Sequence, residues 1–226
     1  MSRSWHNLGA VSTLALAVFA FGATATANAQ EMDFKPKAAG DINIRLRALG
    51  VFPDESGSVK TAGGADTGLD AKVGNAYVPE VDFSYFLTDN IALELIAATA
   101  RHEVDAKGPG AAVGLGSVWL LPPTLTVQYH FMPKSRFSPY VGAGLNYTVF
   151  YNEKSGDAAS ISYDNGFGYA LQAGIDYAIS GPWTLNLDVK KLWLSTDVKA
   201  DLGGTALKAD VDLNPWIFGV GLGYRF

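Results

Sequence analysis

His102 and His130 are the side chains of this sequence best suited to proton transfer near neutral pH. Hydrolytic chemistry would need one of them within hydrogen-bond reach of a nucleophile. No serine is spaced from either in a hydrolase motif, and chain tracing puts the two histidines at opposite ends of the segments that carry them. Both read as loop or girdle residues. Asp197, Asp201, Asp210 and Asp212 flank one glycine-containing connection. They offer the oxygen ligands a hard cation prefers, but acidic loops of this kind are ordinarily just solvated. Gly114-Leu115-Gly116 lacks the following lysine and hydroxyl residue of a phosphate-binding loop. No catalytic residue, metal site or cofactor is expected.

A second set of ionisable residues is more orderly. Arg45, Arg47, Lys190 and Arg225, with Glu80, Asp82, Glu94, Asp176 and Asp188, all fall on the polar side of alternating segments. Four cations and five anions gathered in one narrow interior would nearly neutralise each other as an ion-paired network. Such a network either fills and stiffens its container or forms a polar constriction that sets what passes.

The elements that carry these residues alternate with a period of two, the signature of β-strands. Eight segments are expected. Asp41 to Phe52 sets Ile42, Ile44, Leu46 and Ala48 against Asn43, Arg45 and Arg47. Ala76 to Phe86 sets Tyr77, Val81, Phe83 and Tyr85 against Glu80, Asp82 and Ser84. Comparable alternation runs over 91–98, 124–131, 141–149, 167–177, 183–190 and 216–226. Connections at 87–90, 132–138 and 179–182 are short. Those at 53–75, 102–119, 152–164 and 197–210 are long, and all four follow odd-numbered segments.

In a soluble barrel the apolar face points inward; in a membrane barrel it faces lipid and the lumen is polar. Three features favour the second arrangement. The non-apolar faces are rich in small residues (Gly219, Gly221, Gly223), as a narrow lumen requires. Aromatic residues such as Tyr77, Tyr85, Tyr129, Trp183, Trp216 and Phe226 sit near segment ends, where interfacial girdles lie. The long loops all fall at one end. The expected fold is all-β: an eight-stranded antiparallel up-and-down transmembrane barrel with short periplasmic turns and long extracellular loops.

Targeting agrees. Arg3 and His6 precede an apolar run from Leu8 to Phe21, followed by Ala27-Asn28-Ala29, the pattern of a cleaved secretory signal. The alternative, a membrane anchor, needs a longer run. Residues 1–29 are therefore expected to be a signal peptide and 30–226 the barrel domain, placed in a Gram-negative outer membrane. Cysteine is absent, so packing and backbone pairing must supply all the stability. The formal net charge of −5 and the lack of a basic stripe argue against nucleic acid as a partner.

Four ordered blocks resemble the OmpW family. They are Thr88-Asp89-Asn90-Ile91 through Glu94 to Thr99, Leu121-Pro122-Pro123-Thr124-Leu125, Pro139 to Tyr147, and Asn214-Pro215-Trp216 through Gly223-Tyr224-Arg225-Phe226. The resemblance implies a narrow barrel whose outer half holds an apolar pocket or passage for small hydrophobic molecules, with a lateral opening toward the membrane. Ile96 points inward near the outer end, where the family tends to have a large apolar residue. Val118, Trp119 and Leu121 belong to a long connection unusually apolar for a surface loop, which suggests a ligand or lipid contact. Packing over the barrel mouth is the other reading of that loop. Lys190 departs from relatives with a bulky aromatic at that inward position, which puts a closed hydrophobic gate in doubt. Tyr224 and Phe226 resemble the C-terminal signal read by the barrel-assembly machinery and equally suit a lipid-facing girdle. Outer-membrane lipids, small hydrophobic molecules and that machinery are the expected partners. A closed receptor-like barrel and a lipid-modifying enzyme remain the competing functional classes.

Overall fold

A computed structural model describes residues 33–109 and 111–226; the expected signal peptide lies outside the described residues. Fourteen strands form one hydrogen-bonded sheet, and no helix occurs among the described residues. They are β1 (Ile42–Phe52), β2 (Ser58–Thr61), β3 (Asp66–Val73), β4 (Ala76–Phe86), β5 (Ile91–Ala98), β6 (Ala100–Gly108), β7 (Ala111–Leu121), β8 (Thr124–His130), β9 (Phe137–Ser155), β10 (Ser160–Tyr163), β11 (Gly166–Ser180), β12 (Trp183–Leu202), β13 (Thr205–Asp212) and β14 (Trp216–Arg225).

Antiparallel pairing runs β1–β4–β5–β8–β9–β11–β12–β14 and returns from β14 to β1. Closing the circuit gives each of these eight strands two hydrogen-bonded neighbours, the condition for a sheet in hydrocarbon. The remaining strands continue the wall beyond this circuit, in the order β12–β13–β2–β3–β6–β7–β9, with β10 against β12. The expectation of eight strands joined by four long loops is thereby corrected. What reads as loop is β2 with β3, β6 with β7, β10 with the end of β9, and β13 with the end of β12. Glycine, aspartate and serine in these stretches mimic loop composition, but they alternate between buried and exposed positions apart from bulges such as that at Ser117 and Val118. Val104 and Ala106, for example, are buried between exposed Glu103 and Lys107.

The chemistry of the two faces inverts along single strands. On β12, Thr184, Asn186, Asp188 and Lys190 point inward while Leu185 and Leu187 are exposed. Continuing with the same parity, Leu192, Leu194 and Val198 are buried, and Asp197 and Lys199 are exposed. β1 does the same, from inward Asn43, Arg45 and Arg47 to inward Leu49 and Val51. Polar-in, apolar-out suits lipid; apolar-in, polar-out suits water. The switch near Lys190 and Lys191 therefore marks where the wall leaves the hydrocarbon. Leu46 is 61% exposed and Leu145 59%, whereas Arg45 and Glu94 are 0% exposed. A water-soluble fold would have the opposite order.

Candidate functional site

The polar half of the lumen is filled. Arg45 Nε lies 2.6 Å from Asp82 and its Nη1 3.3 Å from Asp176, and the same guanidinium pairs with Glu94. Arg47 reaches Glu80 at 2.7 Å, Asp82 at 2.8 Å, Glu94 at 3.2 Å and Asp188 at 3.3 Å. Lys190 bridges Glu80 at 2.9 Å and Asp188 at 3.2 Å. Planar five-donor guanidinium groups are suited to serving several carboxylates at once. Neutral donors complete the shell: Gln128 and Gln172 donate to Glu94, and Tyr140 donates to Asp188 at 2.6 Å. Packing this much side chain beside the wall needs strands without side chains opposite. A Cβ on Gly221 would lie 2.6 Å from Arg47 Cγ, and one on Gly174 would lie 2.4 Å from the Tyr140 ring.

Eight of the nine expected network residues meet here. Arg225 does not join them directly: its ion pair, at 3.5 Å, is with Asp41 at the periplasmic end. The fourth cation is instead Lys37, which sequence reasoning missed because it precedes the first strand. Its Nζ enters the lumen to Asp176 at 2.8 Å, Ser138 at 2.7 Å and His130 Nδ1 at 2.8 Å. His130 is thus a lumen residue, not a girdle or loop residue; the inward parity of Thr124, Thr126 and Gln128 was its signal.

Above this charged floor the lumen becomes a chamber of about 100 Å³. Leu49, Val51, Ile96, Val104, Leu115, Val118, Phe150, Leu192, Leu194 and Ile217 line it. Ile96 and Val118 are among the lining residues, 3% and 2% exposed. Trp119 and Leu121 are not. The β7 ladder turns Val118 and Leu120 inward and leaves Trp119 on the outer face against Tyr151, with ring centroids 6.3 Å apart, and Leu121 exposed. Treating the segment as a loop hid this alternation. Lys190 and Glu80 form part of the chamber's base. His102, expected in a loop, is buried in the chamber wall on β6. The two histidines therefore occupy separate compartments, one in the chamber and one in the floor.

Among the described residues the wall beside the chamber lacks a ladder in two places: high in the rim between the outer end of β9 and β10, and lower down beside β4. β4 and β5 stay in register up to Glu80 opposite Ala98. Higher up, β6 pairs with β3 from Val73 opposite Val104, and the Gly74 amide donates to the Glu103 carbonyl at 3.0 Å. Between these levels no ladder joins β4 to β5 or β6 among the described residues. Pro79 stands at the start of the gap and has no N–H to donate. Val78, Ala98 and Ala100, which line the chamber, stand directly behind it. At the opposite end of the barrel, Tyr224 packs against Trp183 and Phe226 on the outer face.

A closed antiparallel sheet, greasy outside and charged inside, lengthened at one end by a water-adapted rim, defines an outer-membrane β-barrel. The chain belongs to the OmpW family, whose model matches residues 38–226. It is 46% identical to "Uncharacterized outer-membrane protein y4mB" of Sinorhizobium fredii, over 81% of this chain and 79% of that one. It is 35% identical to "Outer membrane protein W" of Escherichia coli, over 83% of this chain and 89% of that one. The crystal structure of OprG from Pseudomonas aeruginosa superposes with a TM-score of 0.80 at 33% identity, covering 86% of this chain and 99% of that one. These likenesses place the protein in the Gram-negative outer membrane.

Proposed function

We propose that the barrel takes up small hydrophobic molecules from outside and hands them sideways to the outer leaflet. The observation that carries this reading is the apolar chamber seated directly on a charged floor. A molecule entering from the outer rim meets aliphatic side chains first. Onward travel along the axis would require it to displace ion pairs and lie among unsatisfied charges, which is strongly unfavourable. The gap between β4 and β5–β6 offers the lower barrier, because it opens without breaking a backbone ladder. The chamber of about 100 Å³ suits a molecule near the size of benzene, and larger ones need side-chain rearrangement at the mouth. "Dibenzothiophene metabolism operon protein PahQ" of Pseudomonas aeruginosa, 27% identical over 80% of this chain, is named for the metabolism of a hydrophobic aromatic compound, which is consistent with this reading. Export by the N-terminal signal and handover to the assembly machinery through Tyr224 and Phe226 belong to the same reading.

Ile96→Asp tests it. A carboxylate in the chamber wall holds water there and should slow uptake of a small apolar solute into vesicles by about tenfold or more. Heat-modifiable migration of the folded barrel on gels should persist. Unchanged uptake by the folded variant would remove Ile96 and the chamber from the route.

A further inference from the structure

His102 uses only half of its hydrogen-bonding capacity. It is 6% exposed and lines the chamber from β6. Its Nδ1 lies 2.7 Å from the Gly74 carbonyl, which can only accept, so Nδ1 carries the proton. Burial disfavours the charged ring and lowers its pKa from the ordinary 6.5, against a smaller opposing effect of the Gly74 hydrogen bond. In the neutral ring the other nitrogen, Nε2, is an acceptor, and it has no protein partner among the described residues. Of the other buried polar groups around the chamber, the Tyr163 hydroxyl also has no partner among the described residues, while four are engaged. Thr124 donates to the Pro122 carbonyl, Thr148 to Asn146, Thr196 to the Asp164 carbonyl, and Lys190 to Glu80. Nε2 keeps some access rather than being sealed, so a molecule in the chamber that brings a donor can reach it and satisfy it. His102 also stands at the upper edge of the gap beside β4, since the Gly74 it holds, between β3 and β4, is where backbone pairing with β6 resumes.

We propose that His102 Nε2 is a recognition group, so that the chamber selects apolar molecules carrying one hydrogen-bond donor, such as phenols or small alcohols, over hydrocarbons of the same shape. The inference rests on the uptake reading above and refines its substrate class.

Phenol and toluene are matched probes, differing by a hydroxyl in place of a methyl. Methyl NMR shifts of Ile96 and Val118 in lipid nanodiscs report binding of each, with free concentrations measured to correct for partition into lipid. His102→Leu should weaken phenol by about fivefold to tenfold while toluene stays within about twofold. His102→Gln, which restores an acceptor, should recover most of the phenol affinity. His102→Phe serves as the second acceptor-free variant should the leucine protein not fold. An unchanged phenol-to-toluene ratio in an acceptor-free variant, with toluene still shifting both methyls, would overturn the role of His102 and leave the chamber standing. Toluene that shifts neither methyl in the wild-type protein would overturn the chamber reading, and this inference with it.

Discussion

Arg47→Met should destabilise the folded barrel by about 3–5 kcal/mol, the range seen when one member of a buried ion network is removed. Arg47 is 1% exposed and touches Glu80, Asp82, Glu94 and Asp188. Without it, those four carboxylates and Asp176 are left with Arg45, Lys190 and Lys37. Methionine fills a similar volume, so the effect isolates charge rather than a cavity. Urea unfolding in lipid vesicles, followed by tryptophan fluorescence, reads it directly. Adding Glu80→Gln to Arg47→Met should recover part of the loss, because the two residues share one ion pair and are not independent. A single variant within about 1 kcal/mol of wild type would mean that the floor is hydrated and screened rather than dry.

Leu222→Arg should cost about 2–4 kcal/mol in the same assay, the figure for a basic residue near the middle of a lipid-facing strand. Leu222 stands opposite Leu46 on one side and Leu185 on the other, between Trp216 and Phe226 at the ends of β14. It is 49% exposed, so in a water-soluble barrel the same substitution would be nearly neutral. The contrast between those two outcomes tests which way the sheet faces. An arginine variant as stable as wild type in vesicles would show that this face does not meet hydrocarbon.

Much of this architecture was legible in the alternation of residues. Arg45, Arg47, Glu80, Asp82, Glu94, Asp176, Asp188 and Lys190 were assigned to one interior from strand parity, and they meet there. Their detailed partners were not readable, because ion pairing across a barrel depends on register between strands far apart in sequence. Lys37 escaped because parity says nothing of a segment that precedes the first strand. The outer rim was misread for a different reason. Its strands face water outside and a chamber inside, so their exposed positions are filled by the Asp, Gly, Ser and Lys that also fill loops. That single misreading put Trp119 and Leu121 in the pocket, when the β7 ladder turns both away, and left His102 in a loop, when β6 turns it inward. The boundary between the charged floor and the aliphatic chamber was written in β12 all along, where Asp188 and Lys190 give way to Leu192 and Leu194 with parity unbroken.

Lateral release requires that the chamber empty through the gap beside Pro79. The pair Val78→Cys and Ala100→Cys places two thiols across that gap, on residues that line the chamber from its two sides. Uptake of a small apolar solute should fall sharply when a short thiol-reactive cross-linker joins them, with formation confirmed by gel mobility. A reducible linker should restore uptake once it is cleaved. Full uptake through a barrel shown to be cross-linked would contradict lateral release and send the route elsewhere.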